Sequence, residues 1–201
     1  IEEFIEEEEL KKIDGFLNIY SNDDDSVFFL KLDKEDLNEK FIYFSYVMNA
    51  PQGSTLTGGL PSDGKVYEFR SFKKDKIGLY QINTSYIKGD ETNNIARSSI
   101  TNITEAFVEV FKPTARTEDS VLINLNSIIL SEKMDSISYV PSEYREYISV
   151  DYGRPDEAKT FVKNIYNNKT NTAFEVTFAF ENVMPNPNAY SVSAVTDPRY
   201  L

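Results

Sequence analysis

The clearest pattern in the chain is a strict alternation of apolar and smaller or polar residues near its C-terminal end. Phe174, Val176, Phe178 and Phe180 alternate with the residues between them, which are Ala173, Glu175, Thr177 and Ala179. A period of two over eight residues is typical of a β-strand with one buried face. After a turn at 182–188, residues 190–196 are candidates to pair with this strand.

Further apolar runs, separated by short polar segments, predict three hairpins. Residues 15–20 and 27–32 flank the polar segment 21–26, residues 66–72 and 77–82 flank 73–76, and residues 107–111 and 121–125 flank 113–119. Within 66–72, Tyr67 and Phe69 alternate with Glu68 and Arg70, which indicates a sheet with one solvated face. The continuous apolar run 41–48 predicts a buried strand.

Helical signals are few and short. Residues 2–11 predict a short, marginal helix with a glutamate-rich face, and residues 126–132 predict one or two helical turns. Asp33 is a candidate N-cap for a short helix through Leu37, with Asp36 in the capping-box position. Pro155 suits the first turn of a further helix, residues 156–165, which would place Phe161, Val162 and Ile165 on one apolar side.

The distribution of these elements predicts one main domain. Residues 49–64 concentrate Pro and Gly and predict a long loop, and a polar stretch follows at 83–102. Hairpins outnumber strand–helix alternations, so we predict an α+β, β-rich fold, mostly antiparallel sheet with a few short helices. Residues 1–14 form an acidic N-terminal segment, and residues 15–201 form a single β-rich domain.

The amino-acid composition excludes several kinds of catalytic and metal-binding site. The chain has 201 residues, a net charge of -12, and no histidine, cysteine or tryptophan. It therefore cannot build a thiolate or histidine metal site, a Cys nucleophile, a Ser-His-Asp triad or a disulfide. The charge disfavours nucleic acid, and no apolar run approaches the roughly 20 residues of a membrane span. The first nine residues carry six glutamates, unlike a signal peptide, and the absence of an initiator Met suggests a processed or trimmed piece.

The sequence offers few candidate functional sites. Asp23, Asp24 and Asp25 offer oxygen ligands but lack EF-hand spacing, so they predict a hairpin tip. The glycine-rich segment lacks the ending of a P-loop, and we predict it to be a possible partner-contact loop: Leu56, Thr57, Gly58, Gly59 and Leu60. A carboxylate pair for sugar hydrolysis stays open only because acids are abundant. The aromatic residues are candidates for a sugar-stacking face, although most should be core.

The order of several segments resembles a known family. GFL with Tyr20 (15–20), FFLKLDKEDLNEKFIY (28–43), the glycine loop, VYEF (66–69) and LYQIN (79–83) are similar to the region upstream of the catalytic domain in large bacterial zinc metalloproteases. The resemblance continues through 106–111, LINLNSIILSE (122–132), 160–165 and 174–180, and covers roughly residues 15–196. This chain departs from the family at Leu60-Pro61-Ser62, where a basic and polar stretch is usual, and at residues 122–126, where Asn replaces acids.

The resemblance implies a function without catalysis in this chain. In that family the region has no known activity, the HExxHxxGxxH zinc motif lies downstream, and the proteins are exported from Gram-negative cells. We therefore expect a non-catalytic accessory or prodomain-like domain that assists folding, latency or substrate positioning. Its expected partner is the peptidase domain of the same protein, and a peptide substrate is a second expected partner. Zinc is expected in the downstream domain only. The expected location is periplasmic, outer-membrane-associated or extracellular. A free-standing peptide- or glycan-binding module and a carboxylate-dependent hydrolase are the alternatives.

Overall fold

Antiparallel strands dominate the part of the chain that the computed structural model describes, residues 1–49, 59, 61–85, 105–134, 150–151, 154–181 and 184–185. Strands are numbered here in chain order. The first sheet has five strands in the order β1-β2-β3-β9-β8, which are β1 (Lys11–Ile13), β2 (Asn18–Ser21), β3 (Phe28–Asp33), β9 (Ser120–Asn124) and β8 (Ala115–Arg116). The second has four strands in the order β4-β5-β6-β7, which are β4 (Lys40–Tyr43), β5 (Lys65–Phe72), β6 (Lys76–Ile82) and β7 (Ala106–Phe111).

Three small pairings complete the strands, and the helices are short. The pairs are β12 (Phe161–Asn167) with β13 (Thr172–Thr177), β11 (Arg154–Pro155) with β14 (Phe180–Glu181), and β10 (Val150–Asp151) with β15 (Met184–Pro185). The helices are α1 (Glu2–Glu7), a 3₁₀ helix (Lys34–Asp36) and α2 (Asn126–Ile129). The prediction of a β-rich fold built from antiparallel sheets with a few short helices is confirmed.

The two larger sheets share one hydrophobic core. Ile19, Phe28 and Leu30 of the first sheet belong to the same buried cluster as Phe69 and Leu79 of the second. The β12–β13 hairpin packs against this cluster through its half-buried apolar side chains Val162, Ile165 and Phe174. Burial of apolar area in this shared core is the main stabilising contribution to the fold.

Several predictions from the sequence are confirmed. The first hairpin forms as β2 and β3, the second as β5 and β6, and residues 126–129 are helical. The N-terminal helix exists but ends at Glu7, and Lys11 already belongs to β1. Asp33 caps the predicted turn, and its backbone N–H donates to Asp36 Oδ2 at 2.8 Å. These features depend on residues close in sequence.

The predicted third hairpin is wrong. Residues 107–111 lie in β7, which pairs with β6 of the four-stranded sheet, whereas residues 121–124 lie in β9, which pairs with β3 and β8. The segment between them crosses from one sheet to the other, and only the two residues of β8 fold back on β9. Local turn residues cannot reveal this choice, because it depends on which distant strand offers a neighbouring edge.

The predicted helix at 156–165 is also wrong. Residues 157–159 form a turn, and Phe161–Asn167 is strand β12. A β-bulge lies between Val162, which pairs with Val176, and Asn164, which pairs with Glu175. The extra residue lets Val162 and Ile165, three positions apart, both pack on the core, and this spacing imitates one face of a helix.

Two strand predictions are corrected in extent. The run 173–180 is a strand only through Thr177, and the next strand, β14, begins at Phe180 and pairs with a different partner, β11. The run 41–48 is an edge segment, because β4 ends at Tyr43 and alternate side chains beyond it are exposed. The predicted strand 190–196, residues 50–58 and 60 of the loop and residues 86–102 of the polar stretch lie outside the described residues.

Candidate partner-binding surface

The side of the four-stranded sheet that faces away from the core carries an unusual set of side chains. Tyr67 and Phe69 of β5 point into the core, so Glu68 and Arg70 between them point to the opposite side. We call this side the outer face. Strand register places Lys40, Glu68, Tyr80 and Phe107 in one row across it, in the order β4 to β7.

An ion cluster lies at the centre of the outer face. Glu68 is only 4% exposed, although the sequence predicted a solvated position. Arg70 Nε donates to Glu68 Oε1, and a terminal guanidinium nitrogen donates to Glu105 Oε2. The guanidinium also lies 4.7 Å from the centre of the Tyr80 ring, within cation–π range. The cluster therefore joins β5, β6 and the residue that precedes β7.

The two carboxylates of this cluster change the pKa of Arg70. The hydrogen bond to Glu105, followed by that to Glu68, raises the pKa of the Arg70 guanidinium above its ordinary value. The guanidinium therefore stays charged at all accessible pH values, and its planar shape fits two carboxylates at once. This arrangement suits a rigid anchor, because every charge in it has a partner.

An aromatic cluster adjoins the ion cluster. The ring of Phe107 lies 4.7 Å from that of Tyr80 and 4.9 Å from that of Phe72, between centroids. Gly78 lies beneath these rings, since a Cβ there would come within 2.7 Å of Phe107 and 2.8 Å of Tyr80. A side chain at this position would displace one of the two rings, so glycine allows both rings to lie close over β6. Phe107 remains exposed, so this cluster presents an aromatic surface to solvent.

Four large apolar side chains among the described residues are exposed in a row that we call the apolar stripe. From residue 41 to 48, half-buried and exposed side chains alternate, and the exposed ones are Ile42 (72%), Phe44 (49%), Tyr46 (58%) and Met48 (65%). The rings of Phe44 and Tyr46 meet edge to face at 5.2 Å. A contiguous exposed apolar row on a soluble surface is a common mark of an interaction site.

The apolar stripe continues from β4 onto a segment that we call the arm, defined as residues 44–49 with 59 and 61–64. Ser62 N–H donates to Ser45 O at 2.7 Å, and Tyr46 and Pro61 form an isolated antiparallel bridge. These contacts extend the β4–β5 pairing past the end of β4. The arm therefore holds Phe44 and Tyr46 in an extended backbone with a defined side-chain direction.

The predicted partner-contact loop can be located at one residue. Of Leu56, Thr57, Gly58, Gly59 and Leu60, only Gly59 lies among the described residues. Its N–H donates to Val47 O at 2.8 Å, and its φ of 85° is a left-handed conformation that glycine adopts readily. Gly59 therefore lies on the arm, beside the apolar stripe.

At the acidic hairpin tip, the carboxylates of Asp23 and Asp24 already bond to neighbouring residues. Asp24 Oδ1 accepts from the Ser26 hydroxyl at 2.7 Å and from the Ser26 N–H at 3.2 Å, and these bonds lower the pKa of Asp24. Asp23 pairs with Lys11 Nζ at 2.7 Å. In the described ranges, no group of three or more acidic, His or Cys side chains is arranged to hold a metal ion.

Sequence reasoning missed both the apolar stripe and the ion cluster. In the run 41–48 both faces are apolar, so periodicity cannot reveal that one face is exposed. The ion cluster depends on strand register and on Glu105, 35 residues after Arg70. The one sequence signal for it was the alternation of Glu68 and Arg70 with aromatic residues.

Comparisons with known proteins leave the family open. No protein-family model matches the chain, and neither a curated protein nor a solved structure is significantly similar to it. Within the described ranges, the helices are too short to cross a membrane, and α1, the longest of them, has six residues.

Proposed function

We propose that this chain is a non-catalytic binding domain and that its outer face docks onto a partner protein. The observation that carries the proposal is the apolar stripe, four large exposed side chains at alternate positions on one edge of a sheet. Burying such side chains in an interface contributes roughly 25 cal/mol for each Å² removed from water. The ion cluster holds the neighbouring strands rigid, which lowers the conformational cost of binding.

The proposed partner is the peptidase domain of an exported bacterial zinc metalloprotease. The resemblance in segment order supports this choice, and the absence of histidine from the chain is consistent with zinc being held elsewhere. On this proposal the domain assists folding, latency or substrate positioning, and it works in the periplasm, at the outer membrane or outside the cell. Zinc would enter only through the partner.

The test has two steps. The native reading frame beyond Leu201 is sequenced, and a downstream HExxHxxGxxH motif is expected. The separately expressed peptidase domain is then titrated with this chain, and binding is measured by calorimetry. We expect Phe44→Ser with Tyr46→Ser to weaken binding by at least about 30-fold, since two large apolar contacts are lost.

A closely matched control is present in the same chain. Phe161 and Tyr166 lie on β12, are 49% and 53% exposed, and so resemble Phe44 and Tyr46 in type and exposure. Phe161→Ser with Tyr166→Ser should leave binding within about twofold of the unaltered chain. Equal losses in the two double variants would contradict docking through the outer face, and a reading frame that ends soon after Leu201 would contradict the peptidase partner.

A glycan-binding module is the second candidate. The exposed ring of Phe107, packed with Tyr80 and Phe72, is the observation that favours it, because sugars stack on exposed aromatic rings. A glycan array probed with the chain and with Phe107→Ala tests this candidate. Hits that disappear in the variant would support it, and an array without hits would count against it.

A further inference from the structure

The edge strands of the two larger sheets differ in how well they are protected against pairing with another strand. β1 has three residues, including Lys11 and Lys12, and β8 has only two residues and follows Pro113. β7 carries a bulge at Val108, where its pairing with β6 shifts. Short length, lysine, proline and bulges are all devices that prevent another strand from adding to an edge. The remaining edge begins in β4, which has four residues and starts at Lys40, but residues 41–48 carry no charge and no proline, and the pairing of β4 with β5 is regular through Tyr43.

Hydrogen bonds within the arm show which way its backbone N–H and C=O groups point. Ser45 O accepts from Ser62 N–H at 2.7 Å, and Val47 O accepts from Gly59 N–H at 2.8 Å. Successive residues of a strand direct their backbone groups to opposite sides. Phe44 and Tyr46 therefore direct their N–H and C=O groups to the outer edge, away from the arm's own returning segment. Their exposed side chains lie beside these backbone groups.

We propose that this edge accepts an extended segment of the partner domain as an added β-strand, paired with the backbone of Phe44 and Tyr46. The inference rests on the proposed function and specifies how the partner is held. The segment would carry apolar side chains at alternate positions, which would lie next to the apolar stripe. It would also carry lysine or arginine, because the chain has a net charge of -12. The same charge makes two copies repel, which disfavours a second copy as the occupant.

The test selects a binding segment without assuming its sequence. A displayed library of random nine-residue peptides is enriched on the chain, and the consensus peptide is synthesised. We expect apolar residues at alternate positions, at least one basic residue and no central proline. In hydrogen exchange, the peptide should slow the Phe44 and Tyr46 amides by at least about tenfold. A library that shows no enrichment above an uncoated surface, or a consensus without alternation, would overturn the inference.

A second measurement separates strand addition from docking on the face. The consensus peptide is made in two forms, each with N-methyl groups at one of the two sets of alternate residues. One form should lose at least about tenfold in affinity, because it lacks the N–H groups that pair with the edge, and the other should lose much less. Equal affinities would overturn strand addition but leave the proposed function standing. Protection of the Phe44 and Tyr46 amides without peptide, together with dimers in sedimentation, would overturn the choice of occupant.

Discussion

Asn167 connects three parts of the chain through one side-chain amide. Its Nδ2 donates to Ile13 O at 2.7 Å and to Leu17 O at 2.8 Å, while its Oδ1 accepts from the Thr172 hydroxyl at 2.7 Å. Gly15 lies directly against it, and a Cβ at that position would come within 2.3 Å of the Asn167 side chain. The amide therefore fixes the β12–β13 hairpin to the turn between β1 and β2.

Replacing this amide should destabilise the fold. Asn167→Ala leaves two half-buried carbonyls without their donor and should lower the free energy of unfolding by about 2 kcal/mol. The side chain of the neighbouring Asn168 is exposed and, within the described part of the chain, donates one long hydrogen bond, to Asn171 Oδ1 at 3.4 Å, so Asn168→Ala should change stability by less than about 0.5 kcal/mol. Urea unfolding followed by circular dichroism measures both. Similar midpoints for the two variants would contradict the assignment.

Arg70 should be as sensitive as Asn167, for an electrostatic reason. Arg70→Ala leaves the buried Glu68 carboxylate without its counter-charge, and we expect a loss of about 3 kcal/mol in the free energy of unfolding. Arg116 makes only an exposed ion pair with Asp75 at 3.4 Å, so Arg116→Ala should cost less than about 1 kcal/mol. Thermal unfolding of the two variants in the same buffer decides the point, and equal melting temperatures would show that Arg70 is not an anchor.

The Asp156 carboxylate should make the stability of the fold depend on pH in the acid range. Its hydrogen bond to Lys159 is the main cause that lowers the pKa of Asp156 below its ordinary value of 3.8. Its contribution to stability is therefore complete above the unfolded-state value and is lost as the pH falls through the lower native value. Asp156→Asn should remove this part of the pH dependence. Unfolding curves at pH 5, 4 and 3 should converge for the two proteins on acidification, and curves separated by a constant amount would contradict the prediction.

At the scale of elements, prediction from sequence succeeded where the determining contacts are local. The β2–β3 and β5–β6 hairpins follow from apolar runs around polar turns, and the 3₁₀ turn follows from Asp33 and Asp36. It failed where partners are distant, as for β7 and β9, which join different sheets. It also failed where a bulge changes the period, as at Lys163 in β12. Of the candidate surface, only Gly59 belongs to a segment that the sequence singles out, and its role in binding stays a prediction. Exposure of residues 41–48 depends on what packs above them, which the sequence pattern does not show.

The bulge itself offers a test at this scale. Deleting Lys163 would restore regular pairing and leave Val162 and Ile165 two positions apart, and a regular strand also directs such residues to one face, so the deletion should cost less than about 1 kcal/mol. Lys163→Ala is the matched control, because it also removes the ion pair with Glu175 but keeps the bulge. Chemical unfolding should place the deletion within about 1 kcal/mol of the substitution. A deletion that is much less stable than the substitution would mean that the bulge does more than accommodate one extra residue.

At the scale of the whole molecule, the two sheets use their surfaces differently. Their inner faces share one core, whereas the outer face of the four-stranded sheet carries the ion cluster, the aromatic cluster and the apolar stripe. The charge of -12 keeps copies of the chain apart, so an exposed apolar edge is tolerable in solution. The central claim is that this edge is where a partner protein binds.

Site-specific photo-crosslinking in the native full-length protein tests that claim most directly. A photoreactive phenylalanine is placed at Tyr46 on the apolar stripe or, as control, at Tyr166, which has similar exposure on β12. Crosslinked peptides are identified by mass spectrometry. We predict that position 46 crosslinks to one defined segment of a partner domain and that position 166 gives few products. Crosslinks from position 166 alone, or none from position 46, would contradict the assignment of this face as the binding surface.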